Sequence, residues 1–347
     1  MNTPGFWRGR ASGKGLPHSQ TLPRYAARLK LPQVLGCGSP LPLWLWAVSL
    51  ILTLVQSAAA PNLPITLDSD VDAGTLEFKY KGRKLLVYAF ATNQFKPYVR
   101  ELYTLRGENV LRDAPPDHLH HHGMMYAVWV NGVNFWEEKG APGVQRHIKL
   151  QRVGNSEANG KPVARFSEVI HWLAPTNLAA PLLLEERTLA VTVDEKRQEV
   201  ALRWDSAFTA RQAVKLHGPN YDGLGLRLPE SFNHVAKFQN SANAPYTGNN
   251  TQNTIAAQWT SVSGQMGGRD VMLVMFGRKD NARGDGIFFT MLDPFAYLSV
   301  TQGLDKKPLE YSAGDKFTLS YLLTVYSGNK SAEFIRHRRD QWEQEHK

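Results

Sequence analysis

Four of the chain's eleven histidines fall in one stretch, Asp117-His118-Leu119-His120-His121-His122-Gly123, just after the turn signal Ala114-Pro115-Pro116. Imidazole changes charge near neutral pH, so such a cluster suits proton transfer, hydrogen bonding to hydroxyl groups, or metal ligation. In an extended segment His118, His120 and His122 share one face and His121 points to the other. We therefore expect His120 and His121 as general acid or base, with His118 and His122 contacting substrate. A divalent metal on His118, His120 and His122 stays open as the one cofactor signalled, although the spacing lacks the i, i+4 pair of a helical zinc site. The bland alternative is a loop of turn-capping imidazoles.

Directly downstream, Met124 to Val130 reads as a strand and Val130-Asn131-Gly132-Val133 as a hairpin turn. The chain returning from it carries Asn134, Phe135, Trp136, Glu137 and Glu138, which a hairpin brings back toward the histidines. Trp136 suits a sugar platform, Asn134 a substrate contact and Glu137 a carboxylate partner, in preference to Glu138. Core packing is the competing reading for Phe135 and Trp136. A second cluster runs from His217 to Pro229. There Asp222 is expected as a catalytic carboxylate, with His217 as its candidate acid–base partner, and Tyr221 and Arg227 as ligand contacts. The glycines of this stretch do not make a phosphate loop, because no Lys-Ser/Thr follows.

The elements that must position these residues are strands. Leu76/Phe78/Tyr80, Leu189/Val191/Val193, Val200/Leu202/Trp204 and Phe317/Leu319/Tyr321/Leu323/Val325 alternate with polar neighbours at the period of a half-buried strand. Further strands are expected at Ala164–Trp172, Asp270–Phe276, Ile287–Leu292 and Tyr297–Thr301. So many strands over about 260 residues favour two packed sheets. We expect an all-β fold, a large two-sheet antiparallel β-sandwich spanning 61–347 with a C-terminal helix over 331–345. Asn240–Gly268, rich in Asn, Thr, Ser, Gly and Gln, is expected as a long loop roofing the site.

Charge and cysteine content narrow the function classes. The chain's 347 residues carry a net charge of +9, but the first sixty hold six of the 40 basic groups and none of the 31 acids, so residues 61–347 are nearly balanced. That basic segment, the uncharged Leu41–Val55 and the closing Ala58-Ala59-Ala60 read as a signal peptide cleaved after Ala60. The apolar run falls short of the roughly 20 residues of a spanning helix. The expectation is an exported protein, periplasmic or extracellular, with no membrane span after cleavage. The single cysteine, Cys37, leaves with the leader, which excludes disulfides and Cys-based metal sites. Nucleic acid is not an expected partner, since no basic stripe interleaved with aromatics occurs beyond the leader. The run Arg336-His337-Arg338-Arg339 is read as a solvated helix face.

His118-x-His120-His121-His122-Gly123 followed by Val130-Asn131-Gly132-Val133-Asn134-Phe135-Trp136 resembles the family labelled "methane oxygenase PmoA" or domain of unknown function. That family's usual strings are H-P-H-H-(R/K)-G and V-N-G-x-(D/N)-F-W. Gly223 to Arg227 and the closing strand before the C-terminal helix fit it too, and the likeness covers nearly all of 65–345. Leu119 stands in place of the family's proline, His122 in place of its basic residue, and Val128 where many members have histidine. The resemblance implies a fold similar to the galactose-mutarotase-like supersandwich and an exported protein handling glycans. The label itself suggests a copper oxygenase subunit, but such subunits are polytopic, and residues 61–347 contain no run of about 18 apolar residues, so we read it as a misnomer. Two functions follow as expectations. One is a carbohydrate-active enzyme of lyase, hydrolase or epimerase type acting through His120 or His121. The other is a non-catalytic module binding a glycan, another small molecule or a divalent metal.

Overall fold

The computed structural model describes residues 63–158, 160–246 and 252–345. The expected signal peptide over 1–60 lies outside them. All the described residues belong to one compact unit, Ala59–Lys347.

The unit is built from three antiparallel sheets. The nine-stranded sheet runs, from edge to edge, Ile65–Asp70, Thr75–Tyr80, Arg83–Ala89, Tyr98–Leu102, Met124–Ala127, Gly223–Arg227, Tyr297–Thr301, Ile287–Met291 and Gln252–Ala256. The eight-stranded sheet runs Lys237–Asn240, Trp259–Met266, Arg269–Gly277, Lys316–Tyr326, Glu199–Ala210, Leu183–Asp194, Lys161–Leu173 and Val144–Ala158. Alternation decides which faces meet. Phe78 and Tyr88 of the first sheet touch Phe166 of the second, with ring centroids 6.0 and 4.8 Å apart, and Tyr126 meets Trp172 and Phe208. These residues belong to one apolar core between the two sheets, as expected of a β-sandwich.

The helix Ala332–Gln344 starts where Ser331 Oγ accepts the amide of Phe334 at 3.2 Å, a normal N-cap. Its Ile335 and Trp342 pack on Trp259, Val274, Phe276 and Leu322, the outer face of the eight-stranded sheet. Among the described residues no helix is long and apolar enough to cross a membrane.

Four sequence expectations need correction. A third, four-stranded sheet exists, ordered Leu309–Tyr311, Val214–His217, Trp129–Val130 and Val133–Asn134. It arises because the expected strand over Met124–Val130 breaks at Val128 and its two halves join different sheets. Asn240–Gly268 is not one loop: it holds the strands Gln252–Ala256 and Trp259–Met266, where Trp259, Thr260, Ser261 and Val262 are buried despite their polar neighbours, while 247–251 lie outside the described residues. Arg338 is not solvated, being 5% exposed and paired with Glu199 at 2.9 Å, and Arg339 is held by Asp285 at 2.6 Å.

Candidate active site

The histidine segment is folded by two turns. His118 N–H donates to Pro115 C=O and His121 N–H to His118 C=O, both at 2.9 Å, and Ala114 N–H closes the loop on His121 C=O at 3.0 Å. A turn places residues three apart together, so the His118 and His121 rings stack with centroids 4.5 Å apart and His120 stands edge-on to His121 at 4.5 Å. The extended pattern that put His118, His120 and His122 on one face is therefore not formed.

These three rings line a cavity of about 510 Å³, the size of a small-molecule site. Trp136, Tyr221, Phe289, Phe295 and Tyr297 give it aromatic walls, and Glu137, Lys139 and Asp117 add charge. His121 is 8% exposed, with its Nδ1 sealed from solvent and without a hydrogen-bond partner among the described residues. Burial, then the neighbouring His120 and His118, hold its pKa down to about 2, so the ring stays neutral. Burial lowers His120 as well, against the pull of Glu137. Asp117 accepts from Arg227 Nη2 at 2.7 Å and lies 3.1 Å from His118 Nδ1. Burial opposes its charge, but His118 and Arg227 outweigh that and hold the carboxyl below its usual range.

His122 turns away from the other three. Its ring stacks on Tyr98 at 4.1 Å, its Nδ1 faces Asp113 Oδ1 at 3.1 Å and its Nε2 faces Glu138 Oε1 at 2.9 Å. A ring with a carboxylate at each nitrogen donates from both, so it is an imidazolium. Burial works against that charge, but the bonds to Asp113 and Glu138 raise its pKa. Glu138 in turn is driven down to about 2 against burial, first by His122 and then by Lys96. Lys96, 1% exposed, reaches Glu138 at 2.6 Å and Trp136 C=O at 3.1 Å. The chain Tyr98, Asp113, His122, Glu138, Lys96 thus ties the histidine loop to the turn that carries Trp136.

Residues 75–338 match the family of unknown function DUF6807. The chain belongs to that family. No curated protein matches this DUF6807 chain in sequence. Among solved structures it is similar to the GH36 α-galactosidase AgaB of Geobacillus stearothermophilus, at 8% identity and a TM-score of 0.46, over 76% of this chain and 41% of that one. It is also similar to the α-galactosidase of Lactobacillus brevis, at 7% identity and a TM-score of 0.42, over 77% of this chain and 40% of that one. A galactose mutarotase related enzyme of Lactobacillus acidophilus aligns at 8% identity and a TM-score of 0.32, over 77% of this chain and 99% of that one. The chain thus spans about two fifths of the α-galactosidases' length. Likeness at this level carries no function across.

Of the site residues expected from the sequence, His118, His120, His121, Trp136, Glu137 and Tyr221 meet at the cavity. The metal set His118, His120, His122 does not converge, because both nitrogens of His122 are committed to carboxylates. Among the described residues no group of three or more His, Cys, Asp or Glu is placed to hold a metal ion. Asn134 is structural: its Oδ1 accepts the amides of Trp136 at 2.8 Å and Glu137 at 3.1 Å, and this turn aims both side chains. Arg227, 1% exposed, stacks over the Phe295 ring at 3.4 Å and acts on the cavity through Asp117. His217 does not pair with Asp222, since its Nε2 accepts from Gly132 N–H at 3.2 Å. Asp222 is buried beside Gly218, where an added Cβ would fall 2.4 Å from its Oδ2, and neither of its oxygens has a partner among the described residues. Burial, then Glu137, pushes its pKa well above the usual range.

Sequence reasoning missed Phe289, Met291, Pro294, Phe295, Tyr297, Lys139 and Lys96. The first five come from the strands Ile287–Met291 and Tyr297–Thr301 and the connection between them, beside Gly223–Arg227 in the sheet. Nothing local in that stretch marks it as a neighbour of the histidines. The glycines of Gly223–Arg227 do carry a readable signal. A Cβ at Gly225 would lie 1.6 Å from Tyr297 Oη and 3.1 Å from the Trp136 ring, so this strand must be bare for the aromatic floor to pass over it.

Proposed function

We propose that the cavity takes a carbohydrate in its ring form and that His121, assisted by His120, moves a proton on it. The observation that carries this reading is a buried imidazole held neutral in an aromatic-walled cavity of ligand size. Flat aromatic rings suit the C–H faces of a pyranose, and the imidazoles and Glu137 suit its hydroxyls. A base working at neutral pH must be unprotonated in the resting site, and His121 would gain strength as a base as the hydroxyls of a bound sugar relieve the burial that holds its pKa down.

The reaction type follows from the carboxylates. Glycoside hydrolysis ordinarily uses two carboxyl groups flanking the bond. Of the two lining the cavity, Asp117 is engaged by Arg227 and His118, and Glu137 alone is without an ion pair among the described residues. That arrangement favours proton abstraction, of epimerase or lyase type, over hydrolysis. The test is proton NMR in D2O with a panel of aldoses and uronates. Wild type is expected to interconvert anomers or incorporate deuterium at ring carbon, and His121→Gln to lose roughly 100-fold or more of that rate. Binding with no turnover for any sugar would leave a glycan-binding module in place of the enzyme. We further infer that the domain is exported by its leader, for which N-terminal sequencing of secreted protein should read from residue 61.

A further inference from the structure

A second cleft of about 550 Å³ is walled by Trp129, Lys215, His217, Gly218, Asp305 and Pro308. It is built on the small four-stranded sheet, and the elements that carry it are locked together. Asn131 at the hairpin tip donates from Nδ2 to Ala213 C=O at 3.0 Å, and its Oδ1 accepts Lys215 N–H at 2.8 Å. Its own amide donates to Lys215 C=O at 3.0 Å. Trp129 therefore sits on a rigid strand, half-buried, with the His217 ring 5.6 Å away. Gly218 contributes no side chain, and a Cβ there would lie 3.2 Å from Trp129 Cδ1, so the glycine keeps the edge of that ring clear.

The polar groups around the ring define the ligand. His217 Nε2 accepts from Gly132, which places the proton of a neutral ring on Nδ1 as a donor. Lys215 is a donor partly balanced by Glu310 at 3.5 Å, and Asp305 is an exposed acceptor. One cation and one anion beside a flat aromatic face do not make an anion site, but they match a neutral ligand with hydroxyls around an apolar ring. We propose that this cleft is a second carbohydrate-binding site, taking one neutral pyranose unit of a glycan against Trp129. The assignment stands on the cleft's own residues and does not need catalysis at the first cavity.

The test is a glycan array of neutral oligosaccharides probed with the full chain and with Trp129→Ala, Asp305→Ala and His120→Ala. Wild type is expected to bind, Trp129→Ala to lose about tenfold or more of the affinity, Asp305→Ala to weaken, and His120→Ala, which reports on the first cavity, to keep the binding that Trp129→Ala removes. Loss in His120→Ala with retention in Trp129→Ala would overturn the second site and leave the first cavity's role standing. No wild-type signal, with sugar turnover intact by NMR, would overturn it too. Should Trp129→Ala fail to fold by circular dichroism, Asp305→Ala and Lys215→Ala decide, both positions being exposed, and unchanged binding in both would overturn the proposal.

Discussion

A carboxyl group that is 1% exposed, with neither oxygen hydrogen-bonded, is held as the neutral acid, and among the described residues Asp222 is in that position. The unfolded chain releases this proton near the ordinary Asp value of about 3.9, while the folded chain keeps it to much higher pH. Folding is therefore penalised as pH rises above that value. Asp222→Asn keeps the shape and cannot ionise, so it should raise the melting temperature at pH 7 by a few degrees, corresponding to about 1 kcal/mol or more, with the gain vanishing near pH 3. A melting temperature that falls at pH 7 would show the buried carboxyl to be ionised and partnered. The sequence marked Asp222 as a carboxylate of interest but paired it with His217, because chain proximity does not reveal that the His217 ring accepts from the Gly132 amide instead. The same kind of gap separates the expected and observed histidine groupings. Period-two facing presumes an extended chain, and Pro115-Pro116 fold this one into turns.

At the scale of elements, the site is a meeting of one loop, one hairpin return and three adjacent strands. Gly223–Arg227 lies between Met124–Ala127 and Tyr297–Thr301 in the nine-stranded sheet, and its bare Gly225 lets Tyr297 and Trp136 form the floor. Gly225→Ala should cost about 1–3 kcal/mol in urea unfolding by displacing that floor. Adding Tyr297→Phe should recover part of this, giving a favourable coupling of about 0.5 kcal/mol or more, whereas strict additivity would mean the hydroxyl is not the obstacle. The hairpin was legible in Val130-Asn131-Gly132-Val133, since Asn131 and Gly132 adopt the positive φ of 52° and 80° that this turn needs. The C-terminal helix was legible in its cap and periodicity. What could not be read was the order of strands: Phe295 and Tyr297 reach the histidines through sheet neighbours distant in sequence.

Across the whole molecule, the two large sheets are joined by a buried charged network as well as by apolar packing. Arg187 donates from Nε to Glu185 Oε1 at 2.8 Å, from Nη2 to Glu185 Oε2 at 2.9 Å and from Nη1 to Tyr88 Oη and Pro97 C=O, both at 2.9 Å, and it lies over the Trp204 ring at 4.4 Å. Tyr88 O–H in turn donates to Glu168, which also faces His147 Nδ1 at 2.7 Å. Tyr88 belongs to the nine-stranded sheet and Arg187 to the eight-stranded one, so this network clamps them face to face. Arg187→Met would leave Glu185, 0% exposed, without its cation and should cost about 3–5 kcal/mol in chemical denaturation. A loss under about 1 kcal/mol would mean that apolar packing alone sets the sandwich. Alternation in Phe78, Leu189, Val191, Leu202 and Phe317 made the sandwich readable, and the same period sets Glu185 and Arg187 on the face of Leu189 without showing what would pair with them there. Burial of a charged pair depends on partners that no short window of sequence contains.

In the proposed function a neutral His121 is the base of a sugar-binding cavity. Nitrogen-15 NMR of the histidine rings, followed from pH 8 to pH 4 with and without a sugar that the protein turns over, tests it most directly. With its pKa near 2 in the folded state, against about 6.5 unfolded, His121 should stay neutral throughout the range and its ring signals should move when the sugar is added. Titration of His121 near pH 6.5, or ring signals indifferent to the sugar, would contradict the account.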